Sequence, residues 1–162
     1  MVLRRTLEAV PGVVAYIGLG GNLGNARAAV SEALGAIEAH PALRLLGKSS
    51  LYGSAPVDAG GADYVNAVAK VQTSLQAEAL LDVLQAIENS AGRERPYPNA
   101  PRTLDLDLLL FGDALIATQR LQVPHPRMRD RAFVLVPLAE ISPELVTAQQ
   151  LDAVKGQGVW AL

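Results

Sequence analysis

The chain has 162 residues, with 14 Lys and Arg against 16 Asp and Glu, a formal net charge of −2 and a sequence pI of about 5.6, a balance that argues against nucleic acid as its main partner. It contains no cysteine, which excludes disulfides and thiol chemistry and fits a reducing compartment such as the cytoplasm, and it has no apolar run of the roughly 18 residues that a membrane span needs. Half of the residues are hydrophobic but only 4% aromatic, so one domain with a core of Ala, Val and Leu is expected.

In chain order, Arg4 and Arg5 precede a partly apolar stretch, but Glu8 and Pro11 interrupt it and no small-residue cleavage site follows, so it does not read as a signal peptide. Residues 13–19 form a buried strand that Gly20, Gly21 and Asn22 end in a turn. Gly18, Gly20 and Gly24 miss the dinucleotide spacing by one residue and no Gly-Lys-Ser/Thr follows, so this is an ordinary strand-to-helix turn rather than a phosphate loop. Asn25 caps a helix in which Val30, Ala33, Leu34 and Ile37 fall on one face before His40 and Pro41 stop it.

Strands follow over residues 44–52 and 64–73, joined by a Gly-, Ala- and Pro-rich loop over 53–63. Ser74 caps a second helix with a Leu80, Leu84, Ile87 stripe that ends at Gly92. A Pro-rich loop over 93–101 leads to another strand, then a short hairpin over 115–123 and a Pro-interrupted helical tail. The order βαββαβ is that of an α+β, ferredoxin-like core with an added hairpin and short C-terminal helices.

The strand after the Pro-rich loop carries the most informative pattern. Leu104, Leu106, Leu108 and Leu110 alternate with Asp105, Asp107 and Leu109, so the leucines face a core and both carboxylates point the other way. Their Cα atoms are then roughly 6.6 Å apart, a spacing that suits two hard cations of the kind used in phosphoryl transfer. An exposed face bearing two solvated acids is the alternative. Context favours the first, since seven of the fourteen basic residues fall between Arg93 and Arg131.

Three smaller groups remain open on the residues themselves. Tyr64 and Asn66 share a strand face and suit a flat heterocycle, or else a tyrosine packed on a helix beside an asparagine bound to backbone. His125, stiffened by Pro124 and Pro126, either meets a phosphate or is a plain turn residue. Arg93, Glu94 and Arg95 form either a solvated charge run or a loop that closes over phosphates. An RNA-binding module shares the βαββαβ topology, but the aromatic pattern it stacks bases on is missing.

The stretch from Ala100 through Pro101, Arg102, Thr103, Leu104, Asp105, Leu106, Asp107, Leu108 and Leu109 resembles the signature of the 6-hydroxymethyl-7,8-dihydropterin pyrophosphokinases of folate biosynthesis. Residues 15–24, Ser49 to Tyr52, Asp63 to Asn66, Val123 to His125 and Arg131 to Phe133 resemble further segments of that family, so the likeness spans roughly residues 13–145. It implies transfer of pyrophosphate from ATP to the pterin hydroxymethyl, releasing AMP. It also implies two Mg²⁺ ions on Asp105 and Asp107, a pterin sandwiched by Tyr64 and Phe133, read by Asn66 and lined by Ser54 and Val57, and a nucleotide near Gln85 and Glu88. Arg93, Arg95 and Arg102 as catalytic residues, with Arg120, His125 and Arg131, would face the triphosphate. Residues 1–12 have no counterpart and read as a disordered leader before one pyrophosphokinase domain over 13–162. A cytoplasmic monomer whose partners are these two small molecules is expected, with neither nucleic acid nor membrane as a partner. The chain departs from the family pattern at Gly53, where arginine is frequent, at Ala55, at Pro98 and Asn99, and at Gln122.

Overall fold

In the computed structural model, which describes residues 12–22, 24–56, 62–92 and 104–162, strand β1 (Val13–Gly21) is an inner strand of an antiparallel sheet. It pairs on one side with β4 (Tyr64–Thr73) and on the other with β5 (Asp105–Phe111). The far edge of β4 is shared by β2 (Arg44–Lys48) and β3 (Tyr52–Ser54). The leader apart from Gly12, the loop over 93–101, and with them Val57, Arg93, Arg95 and Arg102 lie outside the described residues.

Helices α1 (Ala26–Ala39) and α2 (Ala77–Gly92) are the two crossovers, and both pack on one sheet face. As the sequence suggests, Asn25 caps α1, its Oδ1 accepting the Ala28 N–H at 3.1 Å, and Val30, Ala33, Leu34 and Ile37 are buried. The start of α2 differs from expectation. Ser74 does not cap it; the first helical bond runs from Leu80 N–H to Gln76 C=O at 2.9 Å, and Thr73 builds the turn by accepting the Leu75 N–H and donating to Ala42 C=O. This face of the sheet, with Ile17, Leu19, Val71, Leu106 and Leu108, forms the first core layer.

The second layer lies on the opposite face, under the C-terminal segment. That segment contains a 3₁₀ turn (Met128–Asp130), α3 (Ala132–Ile141), a second 3₁₀ turn (Pro143–Leu145) and α4 (Ala148–Ala153), which has a Thr147/Gln150 capping box. Pro137 lies inside α3 without ending it. Tyr16, Val68, Leu109, Leu135 and Leu138 meet here, and the buried Tyr16 hydroxyl pairs with Ser142 Oγ at 2.7 Å. The expected hairpin is present as β6 (Ile116–Ala117) and β7 (Gln122–Val123). Among the described residues no helix is long and apolar enough to cross a membrane.

Three departures from the sequence pattern shape the sheet. First, the β1 and β5 registers shift between Tyr16 and Ile17, opposite Leu109. Beyond this bulge Leu110 packs partly on the second layer and Phe111 takes its place in the first, so Leu110 does not continue the core stripe of Leu104, Leu106 and Leu108. Second, the expected strand over 44–52 is broken at residues 49–51. Ser49 Oγ enters the ladder by accepting the Val68 N–H at 2.9 Å, and the Ser50 N–H turns outward to Glu140. The strand then resumes through Gly53 and Ser54, which the sequence assigns to a loop. Third, the C-terminus ends in a strand, β8 (Val159–Ala161), which pairs with β3. Trp160 lies against Gly53 so closely that any Cβ there would collide with the indole, which accounts for glycine at a position where the family often has arginine.

Glu140 of α3 ties the second layer to the strand break. It accepts from the Ser50 N–H at 3.0 Å, the Ser50 hydroxyl at 2.9 Å and the Tyr52 hydroxyl at 2.6 Å. Desolvation alone would raise its pKa, but the bonds from Tyr52 and Ser50 outweigh that and hold it below its ordinary value. Burial and the same carboxylate push the Tyr52 phenol up to about 12. A phenol pKa raised on folding gives stability that is complete below the unfolded value of 10.0 and is lost as pH rises through about 12. Glu140→Ala should therefore cost about 1 kcal/mol, or roughly 2–4 °C in Tm. In alkaline melts the native chain should lose stability between about pH 10 and 12 more steeply than Tyr52→Phe; parallel profiles would contradict the assignment.

Candidate active site

The functional candidates collect on the sheet face that carries α3. Backbone register decides this: Asp105 pairs with Gly20, which pairs with Asn66, and Asp107 pairs with Gly18, which pairs with Val68. Strands lie about 4.8 Å apart, so Asp105 and Asn66 are roughly 10 Å apart across a glycine. Both acids are exposed while Leu104, Leu106 and Leu108 are buried, so the alternation holds up to the bulge and both carboxylates share one face. Between them the Leu106 N–H, on the outer edge of β5, donates to Glu88 Oε2 at 2.5 Å. Glu88 thus anchors the acidic strand to α2 by satisfying an edge donor that would otherwise lack a partner in the sheet.

Beside Asp107 lies a cavity of about 310 Å³, lined also by Arg120, His125, Gln119 and Gln122, with Leu81 and Leu108 in its walls. The His125 N–H bonds to Leu109 C=O at 2.9 Å, so the bulge itself seats the histidine. Burial pushes His125 below its ordinary pKa, Arg131 and Arg127 act in the same direction, and Asp107 opposes them. Its Nδ1 accepts the Arg127 N–H at 3.2 Å, so the neutral ring carries its proton on Nε2. Arg120 is drawn across to α2, where Glu78, Asp82 and Gln85 form one stripe. It bonds Asp82 and reaches Gln85 Oε1 at 3.2 Å, with Glu78 at 3.7 Å. The Asp82 bond raises the guanidinium pKa further, so this cation stays charged. Gln119, Gln122 and Asp82 had no role in the sequence pattern; the hairpin's fold over α2 brings the two glutamines to the cavity and Arg120 to Asp82.

On the other side of Gly20 sits a second group. Asn66 is 3% exposed, and its Nδ2 donates to the buried Ser54 Oγ at 2.8 Å. Tyr64 is two residues along the same face of β4, half-buried. At the start of α3 the Arg131 guanidinium lies 5.4 Å from the centroid of the Phe133 ring, a cation–π contact. The structure therefore places Ser54, Tyr64 and Asn66 at one end of the face and Asp105, Asp107 and His125 at the other, with Arg131 of the Arg131–Phe133 pair close enough to act on His125; Arg120 reaches from the Asp107 cavity to Gln85 on α2, the helix from which Glu88 holds the acidic strand.

Whether this chemistry fits magnesium depends on the donor set. Among the described residues no group of three or more His, Cys, Asp and Glu could hold a metal, so a cage made of protein alone is not formed. Two exposed carboxylates on one face fit a hard cation that keeps water and takes its remaining oxygens from substrate phosphates. A larger cleft of about 680 Å³ opens on the opposite face between α1 and α2, but its walls are largely Ala29, Ala33, Ala36, Ala86 and Ile87, with Glu32 and Asp82 at hand, chemistry that would repel a triphosphate.

A ferredoxin-like sheet with an acid pair at one end and an amide–aromatic group at the other fits a phosphoryl-transfer enzyme with a flat second substrate. The family description 7,8-dihydro-6-hydroxymethylpterin-pyrophosphokinase matches residues 16–143, and the chain belongs to that family. Three relatives carry the name 2-amino-4-hydroxy-6-hydroxymethyldihydropteridine pyrophosphokinase. That of Pseudomonas aeruginosa is 50% identical over 133 residues, covering 80% of this chain and 81% of the relative. That of Haemophilus influenzae is 47% identical over 135 residues, covering 83% and 84%, and that of Bacillus subtilis 40% over 151, covering 91% and 90%. Among solved structures, a Plasmodium falciparum HPPK-DHPS with pteroate superimposes with a TM-score of 0.63 at 14% identity over 78% of this chain. An HPPK-DHPS in complex with substrates gives 0.65 at 13% over 90%. These likenesses concern the fold, and the chain spans only 38% and 43% of those two longer proteins.

Proposed function

We propose that this chain carries out its family's reaction on the α3 face of the sheet, with Asp105 and Asp107 as ligands of two magnesium ions and Tyr64, Asn66 and Phe133 as the pterin contacts. The reaction itself follows from family membership: pyrophosphate passes from ATP to 6-hydroxymethyl-7,8-dihydropterin, giving the pterin diphosphate and AMP, a step of folate biosynthesis. The row Asp105–Gly20–Asn66 is the observation that supports this reading, because it joins a cation-binding end and a heterocycle-reading end at a distance one pterin can bridge.

In this arrangement Asn66 would read the pterin edge through donor and acceptor atoms at once, with Ser54 fixing its amide. Tyr64 and Phe133 would stack on the two ring faces, and Val57 would line the pocket. The hydroxyl oxygen of the pterin would bond to the β-phosphorus while the bond from that phosphorus to the α,β-bridging oxygen breaks, AMP leaving with the bridging oxygen and the hydroxyl proton passing to water. Magnesium, when bound, supplies charge neutralisation on the phosphates. Arg120, held beside Gln85, and Arg131 would add fixed positive charge, and neutral His125 would donate from Nε2 to a phosphate oxygen. Arg93, Arg95 and Arg102 complete the proposed set. One sheet shared by two core layers supports a single domain over 13–162. A cytoplasmic monomer is part of the same proposal, and the absence of cysteine fits it.

Asp105→Ala and Asp107→Ala should each slow AMP release by about a hundredfold or more, roughly 3 kcal/mol, with Tm retained. The assay is AMP formed from ATP and magnesium with and without the hydroxymethyldihydropterin, and near-native turnover in either folded variant would overturn the metal assignment. For the pterin end, Tyr64→Ala and Phe133→Ala should each weaken pterin binding by about 1–3 kcal/mol, as loss of a stacking surface does, and disturb ATP binding far less. Equal losses for both ligands in calorimetry would contradict the sandwich.

A further inference from the structure

Gly18 and Gly20 lie inside β1, not in the turn that follows it, and neither has the left-handed backbone that only glycine adopts freely. A glycine within a strand weakens it and marks a place where something approaches the backbone closely. The two positions differ in what a side chain would meet. At Gly18 a Cβ would touch the branched end of Leu109 at 3.4–3.5 Å, an ordinary packing contact at the edge of the second layer. At Gly20 it would stand 3.2 Å from Asn66 Oδ1 and 3.8 Å from Val65 C=O. Asn66 has no room to retreat, being 3% exposed and bound to Ser54. Among the described residues nothing donates to its Oδ1, which faces the space above Gly20.

We propose that Gly20 is a specificity-determining residue of the pterin site: its missing side chain leaves the β1 backbone bare between Asn66 and Asp105, and the edge of the ring held between Tyr64 and Phe133 rests on that floor with its hydroxymethyl toward the acids. This rests on the reading of Asn66 and Asp105 given above. An added Cβ would crowd the Asn66 amide, which Ser54 holds, or stand where the ring must sit. Asn66 and Asp105 are the direct cross-strand neighbours of Gly20.

The test is calorimetric titration of the full chain with hydroxymethyldihydropterin in the presence of a non-hydrolysable ATP analogue. Gly20→Ala should weaken pterin binding by about tenfold or more, the scale on which one extra carbon is rejected. It should leave affinity for the ATP analogue within about twofold and Tm unchanged or higher, because alanine suits a strand better than glycine. Gly18→Ala should change pterin affinity by no more than about threefold. Pterin affinity in Gly20→Ala within about twofold of native would overturn the proposal, and so would a loss matched by lower Tm or by weaker ATP binding. Asn66→Ala separates the two layers of the argument. If it loses pterin affinity while Gly20→Ala does not, the proposal alone falls; if it binds pterin normally, the reading of Asn66 falls and the proposal with it. In the native chain, pterin should shift the Gly20 Hα resonances more than those of Gly18, and no shift at Gly20 would also overturn the proposal.

Discussion

The register of β1 is the constraint on which the rest of the molecule depends. It is hydrogen-bonded on both sides, to β4 along its whole length and to β5 over most of it, and its side chains alternate between two buried layers. A slip by one residue would turn Ile17 and Leu19 out of the first layer and break the row that joins Asp105 to Asn66. It would also carry the buried Tyr16 into the first layer, away from Ser142, and leave its hydroxyl without that partner. The same packing that stabilises the fold therefore sets the spacing of the candidate site. The bulge at Leu109 belongs to this scheme, since it inserts one leucine under α3 and offers its carbonyl to the His125 backbone without disturbing the phase of the two acids.

Carboxylates outside the acid pair hold the frame around it. Glu88 satisfies the edge of the acidic strand, and Glu140 gathers the donors released where β2 gives way to β3. Asp82 keeps Arg120 over α2 beside Gln85 instead of letting it swing into solvent. The slight excess of acids in the composition thus says little about the local potential at the site, where a charged Arg120 and a neutral His125 line the cavity beside Asp107 and the Arg131 guanidinium acts on His125.

Period-two alternation made the phase of Asp105 and Asp107 legible, along with the Asn25 cap and the apolar stripes of α1 and α2, because these features depend on neighbours in the chain. What was hidden depends on distant ones. The break at residues 49–51 is set by Val68 and by Glu140, some 90 residues away, while the local sequence is a fair strand. Three consecutive leucines give no sign of which one will bulge. Gly53 looks like an unexplained departure until Trp160 is seen lying on it, and the turn at Gly156 to Gly158 marks the end of the helical tail without saying that β8 will return to the sheet. The glycines of β1 were legible as glycines, but a comparison with phosphate-loop spacings asks about backbone turns, whereas at Gly20 the relevant property is the empty space beside Asn66.

The account stands or falls on which sheet face receives the nucleotide and its metal. Paramagnetic broadening of backbone amide resonances by Mn²⁺, added with a non-hydrolysable ATP analogue to the native chain, reads this directly. The account predicts that broadening depends on the nucleotide and is strongest at Gly18, Gly20 and Asp105 to Asp107, fading toward Asn66 and absent from the helix faces that line the α1–α2 cleft. Broadening centred on Ala33, Ala36 and Ala86 in that cleft, with the acidic strand unaffected, would contradict it.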